Sequence, residues 1–403
     1  KNIKIDNKLI LNSKISDINS YLVIFLGFCL PISIAITSLV SAIIVLLWLY
    51  EGNFKYKYNI IKNNPIAYAF FAFFIIHVIG LLWSEDIQWG LHIVSKERRI
   101  LFFLILITIV KKEHVKYYIF SFLLAMSISE LFSYSIWLEL IAPFKNATIY
   151  NPTPFITHIS YNPLLAFSIY LFGYYLFLNK SSNIKNNLAG IFFLILMSIN
   201  MFITGGRSGQ IGFFIMIALL IMQYYKNSLI KQVIAISIVL PTIFLLSYNT
   251  STVFKDRVNL GMKEIKTFEE RPSTSVGQRL AFLFNSLEII KENPIFGVGT
   301  GDFPQEYKKV NEKNTPNVTS TVNPHNMYAL VLAQTGIFGL FAMLSIFYMQ
   351  IKLSFKKNEY SQIRLALPAL FLVIMLGESY LLVSYTSLMF VYFSSFLYKD
   401  FSD

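Results

Sequence analysis

Three side chains have the type and the neighbours to act on phosphates and hydroxyls: Arg207 in "FITGGRSGQIGFF", Arg279 in "SVGQRLAF" and His325 in "VNPHNMYALVLAQTGIFGL". Arg207 follows Gly205 and Gly206 and opens an apolar run at Ser208. Glycines let a backbone approach a ligand closely, and the first N–H groups of a helix form an anion site at the positive pole. Gly206, Arg207 and Ser208 therefore have the parts of a phosphate cradle. The same arginine also reads as a charge snorkelling at a membrane edge. Arg279 falls in the first turn of an amphipathic segment, where the macrodipole disfavours a cation, and such a local conflict points to function. Its plainer reading is an exposed arginine paired with a carboxylate. Arg271 and Arg257 are weaker candidates of the same kind. Arg98 and Arg99 open another apolar block, where they add positive potential or anchor that block at headgroup level. His325 stands in the first turn of a long apolar helix, whose positive pole favours the neutral, proton-accepting imidazole suited to a general base. It reads equally as an interfacial cap beside Asn323 and Asn326.

Other motifs carry less. "GVGTGDF" (297–303) superficially suggests a phosphate loop, but no strand precedes it and no GK[ST] follows, so it reads as turns after a helix. His77, His92, His114 and His158 show no metal-binding spacing, and no DxD pair is present; no metal and no cofactor is expected. Glu85 and Asp86 form the one acidic pair near a span on the outer side. Cys29, the single cysteine, excludes an intramolecular disulfide and a thiolate cluster.

The elements that must position these residues are membrane helices. Of 403 residues, 55% are hydrophobic and 14% charged, whereas a soluble domain has roughly a quarter charged. Apolar blocks near 18–32, 33–50, 65–83, 98–110, 115–138, 161–178, 187–204, 208–225, 229–248, 325–351, 363–383 and 385–398 predict an all-α bundle of about twelve spans. The first two blocks are interrupted only at Pro31, and the last two are separated by a residue or two. No cleavable signal peptide is read at the polar, Lys-containing start.

Net charge of +12 would suggest nucleic acid in a soluble protein; here the lysines sit in joints between spans and set topology, so no nucleic-acid partner is expected. Alternate joints are Lys-rich, from Lys1–Lys14 through Lys111, Lys112 and Lys116 to Lys399, which places them and both termini inside and residues 249–322 outside. Three parts are expected: a bundle over 1–248, an outer loop domain over 249–322 and closing helices over 323–403. The outer segment is too long for a plain connector. Leu280, Leu283, Phe284, Leu287 and Ile290 recur at helical spacing, with Ser275 as cap and Asn293-Pro294 as stop, predicting an amphipathic helix over the outer mouth. "NEKNTPNVTSTVNP" (311–324) reads as a polar loop.

In that order, "GGRSGQ", "GQRLAFLFNSLEIIKENPIFGVGTGDF" and "NPHNMYALVLAQTGIFGL" resemble the O-antigen ligase family and its superfamily of O-antigen polymerases and protein O-oligosaccharyltransferases, mainly over residues 200–345. Gln334 stands where many relatives have an acidic residue. The resemblance implies a GT-C-like helical fold in the inner membrane of a Gram-negative bacterium, with the site facing the periplasm. It implies inverting, metal-independent transfer of a glycan from undecaprenyl diphosphate to the lipid A core, among membrane lipids. Carried onto matching positions, Arg207 and Arg279, with Gly206 and Ser208, would hold the diphosphate and His325 would assist the acceptor hydroxyl. Arg271, Asn326, Tyr328, Arg98 and Arg99 would be secondary. A polymerase of the same superfamily and a protein oligosaccharyltransferase remain alternatives, as does a lipid-linked glycan transporter, although the transporter should carry related halves or mid-span charges.

Overall fold

The computed structural model describes residues 2–145, 147–178, 184–267, 270, 272–356 and 359–401. Among them the fold is all-α, with sixteen α-helices and no strand beyond an isolated bridge between Thr148 and Asn151. α1 (Asn2–Cys29) and α2 (Ile34–Glu51) form a hairpin that turns at Pro31. After the short surface helix α3 (Phe54–Asn63) come α4 (Pro65–Ile79), α5 (Ile87–Ile109), α6 (Val115–Trp137), α7 (His158–Gly173), α8 (Ile184–Ile203), α9 (Arg207–Tyr224) and α10 (Leu229–Thr250). α11 (Thr252–Lys266), α12 (Ser275–Glu292) and α13 (Phe303–Asn314) make up most of the long polar segment, and α14 (Met327–Ser354), α15 (Ser361–Ile374) and α16 (Ser384–Leu397) complete the chain.

Every expected apolar block is a helix. Seven among the described residues are long and apolar enough to cross a membrane: α2, α4 with its 3-10 extension to Trp83, α6, α7 with its π-turn, α9, α10 and α14. Of the twelve expected spans, seven meet this length and composition among the described residues; α15 and α16 have fourteen residues each, the described apolar part of α8 is Leu188–Ile203, and α1 and α5 carry charged turns. This is a multi-pass membrane protein. Burial sorts its helices: twelve of the fourteen residues of α16 are buried, against one of twenty-two in α10. α16 and α7 are apolar all round because helices surround them, and α10 shows its apolar face to lipid.

Four boundaries differ from expectation. α5 begins at Ile87, capped by the Asp86 carboxylate on the Trp89 N–H at 2.8 Å, so Arg98 and Arg99 lie mid-helix and do not open a span. α12 is capped by Thr274, which accepts from the Gly277 N–H at 3.2 Å, with Ser275 its first helical residue and Arg279 one turn in. Its buried face is Ala281, Phe282, Asn285, Ser286 and Ile289, whereas Phe284 and Leu287 are exposed. Polar Asn285 turns inward because its amide bonds the Thr315 hydroxyl at 2.7 Å and the Tyr307 hydroxyl at 3.1 Å across α13. α13 also takes in the first residues of the expected polar loop. Finally, α15 and α16 are separated by residues 375–383, a nine-residue turn where a residue or two had been expected.

α14 is interrupted at Gly336, with φ 62° and ψ −156°. The "GVGTGDF" stretch fills the break: Val298 and Gly299 donate to the carbonyls of Ala333 and Gln334 at 2.8 and 3.0 Å, and Ile337 donates to Pro294 at 3.0 Å. Gly297 and Gly299 meet this close backbone with positive φ, 68° and 113°, which side chains resist. Backbone groups freed by a broken membrane helix must find partners in protein, and these turns supply them. The Gln334 amide adds a bond to the Thr300 carbonyl at 2.9 Å, a donation no carboxylate could make.

Candidate active site

Arg207 is the first residue of α9, and a cavity of about 120 Å³ opens beside it. Its walls include His158 of α7, Gly205 to Ser208, Arg257 of α11, Ser275 and Arg279 of α12, and Gly377, Glu378 and Tyr380 of the α15–α16 turn. Three guanidiniums from three elements thus meet at one small space. Gly206 allows the approach, since a Cβ there would sit 2.7 Å from the His158 carbonyl and the Asn162 amide. That turn is held from behind, with Asn162 donating to the Gly206 carbonyl at 3.2 Å and accepting from Thr204 at 2.7 Å. Ser208 and Tyr380 both line the cavity, and the Tyr380 hydroxyl donates to the Ile159 carbonyl at 3.2 Å.

The cations are poorly neutralised. Arg207 reaches Glu264 at 3.9 Å and the Arg257 carbonyl at 3.4 Å, and its Nε is buried without a partner. Glu264 also accepts from the Val276 N–H at 3.1 Å. Guanidiniums remain charged and can fork onto phosphate oxygens, so an excess of them around a pocket has the chemistry to take an anion.

Glu378 links this cavity to His325. The histidine Nδ1 lies 2.6 Å from one Glu378 carboxylate oxygen, whose side chain is 6% exposed. The other oxygen accepts from the Asn323 amide at 3.0 Å and the Ser379 N–H at 2.9 Å. Burial pushes the Glu378 carboxyl up, but the hydrogen bond and charge of His325, with those two donors, outweigh it and hold the group below the ordinary carboxylate value. A carboxylate accepts only, so Nδ1 carries a proton, and in the neutral form of the ring Nε2 is the nitrogen with the lone pair. The imidazole lies along Phe282, with centroids 6.0 Å apart at 25°. Phe282 is one turn from Arg279 on α12, so that one helix face serves both groups.

His325 precedes α14 and is not in its first turn: Asn326 is the cap, accepting from the Ala329 N–H at 3.0 Å. His325 holds a left-handed φ of 52°, fixed by its N–H bond to the Asn323 side chain at 3.0 Å. Its electrostatic partner is therefore a carboxylate, and the helix-pole argument is replaced. Such strain in a non-glycine residue gathers at functional sites.

The secondary candidates separate. Asn326 also donates to the Leu376 carbonyl at 3.2 Å, and Tyr328 donates to the Leu372 carbonyl at 2.6 Å, so both fasten α14 to α15 and its turn, and neither lines the cavity. Arg99 donates to the Leu382 carbonyl at 3.1 Å and Arg98 is exposed. Arg271 lies outside the described residues. Asp86 caps a helix, and the backbones of Glu85 and Asp86 bond Asp302 at 2.9 and 2.8 Å, a structural role. His77 pairs with Glu97 at 3.2 Å inside the bundle and His114 with Ser20 at 2.7 Å.

Sequence reasoning missed Glu378 and His158 and underrated Arg257. Glu378 was assigned to the apolar block 363–383; a lone carboxylate in "LVIMLGESYLLV" was the available signal, since ionisable residues inside spans are functional by default. His158 gave no such signal.

A second hollow, about 1010 Å³, lies between α8, α9 and α10 and is walled by apolar side chains such as Leu194, Ile203, Leu220, Ile243 and Leu246. Ile203 and Ser251–Val253, at its edge, stand within a few residues of Arg207 and Arg257.

Fold and site together define a polytopic membrane protein with an arginine-lined cavity beside a histidine–carboxylate pair. Residues 192–344, from α8 into α14, match the family model described as O-antigen ligase. A protein of Haemophilus influenzae described as uncharacterized is 26% identical over 301 residues, 71% of each chain.

Proposed function

We propose that this chain is an O-antigen ligase, transferring a glycan from undecaprenyl diphosphate to the lipid A core at the periplasmic face of the inner membrane. The carrying observation is the convergence of Arg207, Arg257 and Arg279 on one cavity whose lining also includes Glu378, hydrogen-bonded to His325. The donor diphosphate lies against the arginines and its polyprenyl tail enters the apolar hollow between α8, α9 and α10. His325 Nε2 takes the proton from the acceptor hydroxyl as its oxygen attacks the anomeric carbon. The C–O bond to the diphosphate breaks from the opposite face, giving inversion. Guanidiniums already in place stabilise the charge gathering on the leaving diphosphate, the usual dominant contribution to catalysis. No metal step is invoked.

The test is transfer from purified undecaprenyl-diphosphate glycan in detergent, offering lipid A core and, separately, a second lipid-linked glycan. The expected result is product on lipid A core that is lost with Arg207→Ala and Arg279→Ala and poorly restored by Lys. Product only on the lipid-linked glycan would make the chain a polymerase, and wild-type rates in Arg207→Ala would overturn the site.

A further inference from the structure

At the end of the bundle opposite the arginine cavity, a separate cavity of about 240 Å³ opens between α3, the α5–α6 joint and the segment after α16. Three lysines line it, Lys111, Lys112 and Lys399, with the carboxylates of Glu113 and Asp400. The surrounding segments, residues 51–64, 110–117 and 398–401, hold seven lysines against three acidic residues, so the field here is positive. Lys111 is committed to an ion pair with Asp17. Lys112 is exposed and has no ion-pair or hydrogen-bond partner among the described residues. The Lys399 ammonium is fixed by one bond, to the Val110 carbonyl at 2.8 Å, which leaves two N–H donors unassigned. Burial, partly offset by Glu113 and reinforced by Lys111, pushes Lys399 down to about 8. A cation kept where burial opposes its charge is a local conflict that a bound anion would relieve.

The depth of the cavity indicates what kind of anion. α3, ten residues long, is too short to span; it exposes Phe54, Tyr56 and Tyr58 while Ile60 turns inward. Exposed aromatics on a short amphipathic helix mark the headgroup level of a bilayer. Tyr56 and Ile60 are themselves cavity walls, and Ile107 and Phe401 add apolar surface beside the ammonium groups. A cationic pocket with an apolar flank at headgroup depth fits a phosphodiester that carries acyl chains.

From this geometry we infer that Lys112 and Lys399 hold the phosphate of an anionic phospholipid between α3 and the α5–α6 joint. This site is independent of the transfer reaction proposed above.

The test uses the full chain, delipidated in detergent and titrated with phosphatidylglycerol, phosphatidylcholine and inorganic phosphate, with retention read by native mass spectrometry. The wild type is expected to retain phosphatidylglycerol in preference to phosphatidylcholine. A Lys112→Gln/Lys399→Gln double variant is expected to bind it about thirtyfold more weakly, from two charge contacts. Lys112→Gln alone removes an exposed side chain, keeps the fold and should weaken binding about fivefold. Equal retention of the two lipids, or unchanged retention in the double variant, would overturn the site. Displacement of phosphatidylglycerol by equimolar inorganic phosphate would assign the pocket to a soluble phosphate and overturn the lipid.

Discussion

Replacing Glu378 by Gln probes the site most sharply, because shape is kept while charge and hydrogen-bond direction change. In the wild type one carboxylate oxygen already receives two donors, Asn323 at 3.0 Å and Ser379 at 2.9 Å, while the other faces His325 at 2.6 Å. Glutamine has one oxygen, which those two donors claim, so its NH2 is turned toward His325 Nδ1. The imidazole must then present a lone pair at Nδ1 and carry its proton on Nε2, the tautomer that cannot take a proton from an acceptor hydroxyl. Losing the charge assistance alone costs about 2 kcal/mol, roughly thirtyfold in kcat. The wrong tautomer adds to this, and in serine proteases the corresponding exchange costs about 10⁴. Glu378→Gln should therefore slow transfer between about 10² and 10⁴-fold. The assay is the initial rate of transfer to lipid A core in detergent, with the unfolding temperature as the folding control. Because the two residues act as a unit, the double variant with His325→Ala should be no slower than His325→Ala alone. A folded Glu378→Gln protein within threefold of wild type, or losses that simply multiply in the double variant, would refute the reasoning.

Three further outcomes follow from the same geometry. Since Glu378 is held below the ordinary value, its stabilising contribution is complete above about pH 4.3 and is lost as pH falls through its lower folded value; the unfolding-temperature gap between wild type and Glu378→Gln should be constant at neutral pH and close on acidification below pH 4. Gln334→Glu would set a carboxylate against the Thr300 carbonyl in place of a 2.9 Å donation, costing about 1–3 kcal/mol and raising proteolysis within residues 295–302, with unchanged cleavage counting against the loop's role in filling the helix break. Gly336→Ala would bring a Cβ to 2.2 Å from the Ile295 carbonyl at a left-handed φ and should lower stability by about 2 kcal/mol or more, measurable as a fall in unfolding temperature; an unchanged temperature would mean that the break is not required.

Much of this protein is legible in its sequence because the bilayer constrains sequence strongly: a spanning segment must be apolar and hydrogen-bonded within itself, so the helical blocks can be found by reading along the chain. Arg207 and His325 stood out as candidates for a related reason, since charged or titratable side chains at the ends of such blocks are exceptions to that rule, and Arg279 stood out as a cation in the first turn of an amphipathic helix. Their assembly was not. Glu378 lies 53 residues beyond His325, in a turn whose residues are apolar enough to read as continuous span, and only packing of α15 against α14 sets the carboxylate on the imidazole. Arg257 and His158 came to line the same cavity in the same way, through the close approach of α11 and α7 to the Gly205–Arg207 turn. The break in α14 depends on a backbone angle that a single glycine permits and that a loop some forty residues earlier stabilises, which no local pattern encodes. Sequence by itself determined the helices, their order and the charged groups at their ends, since these follow from local composition and period. Which of those groups face one another was decided by tertiary structure, because pairing between side chains far apart in the chain depends on how helices pack.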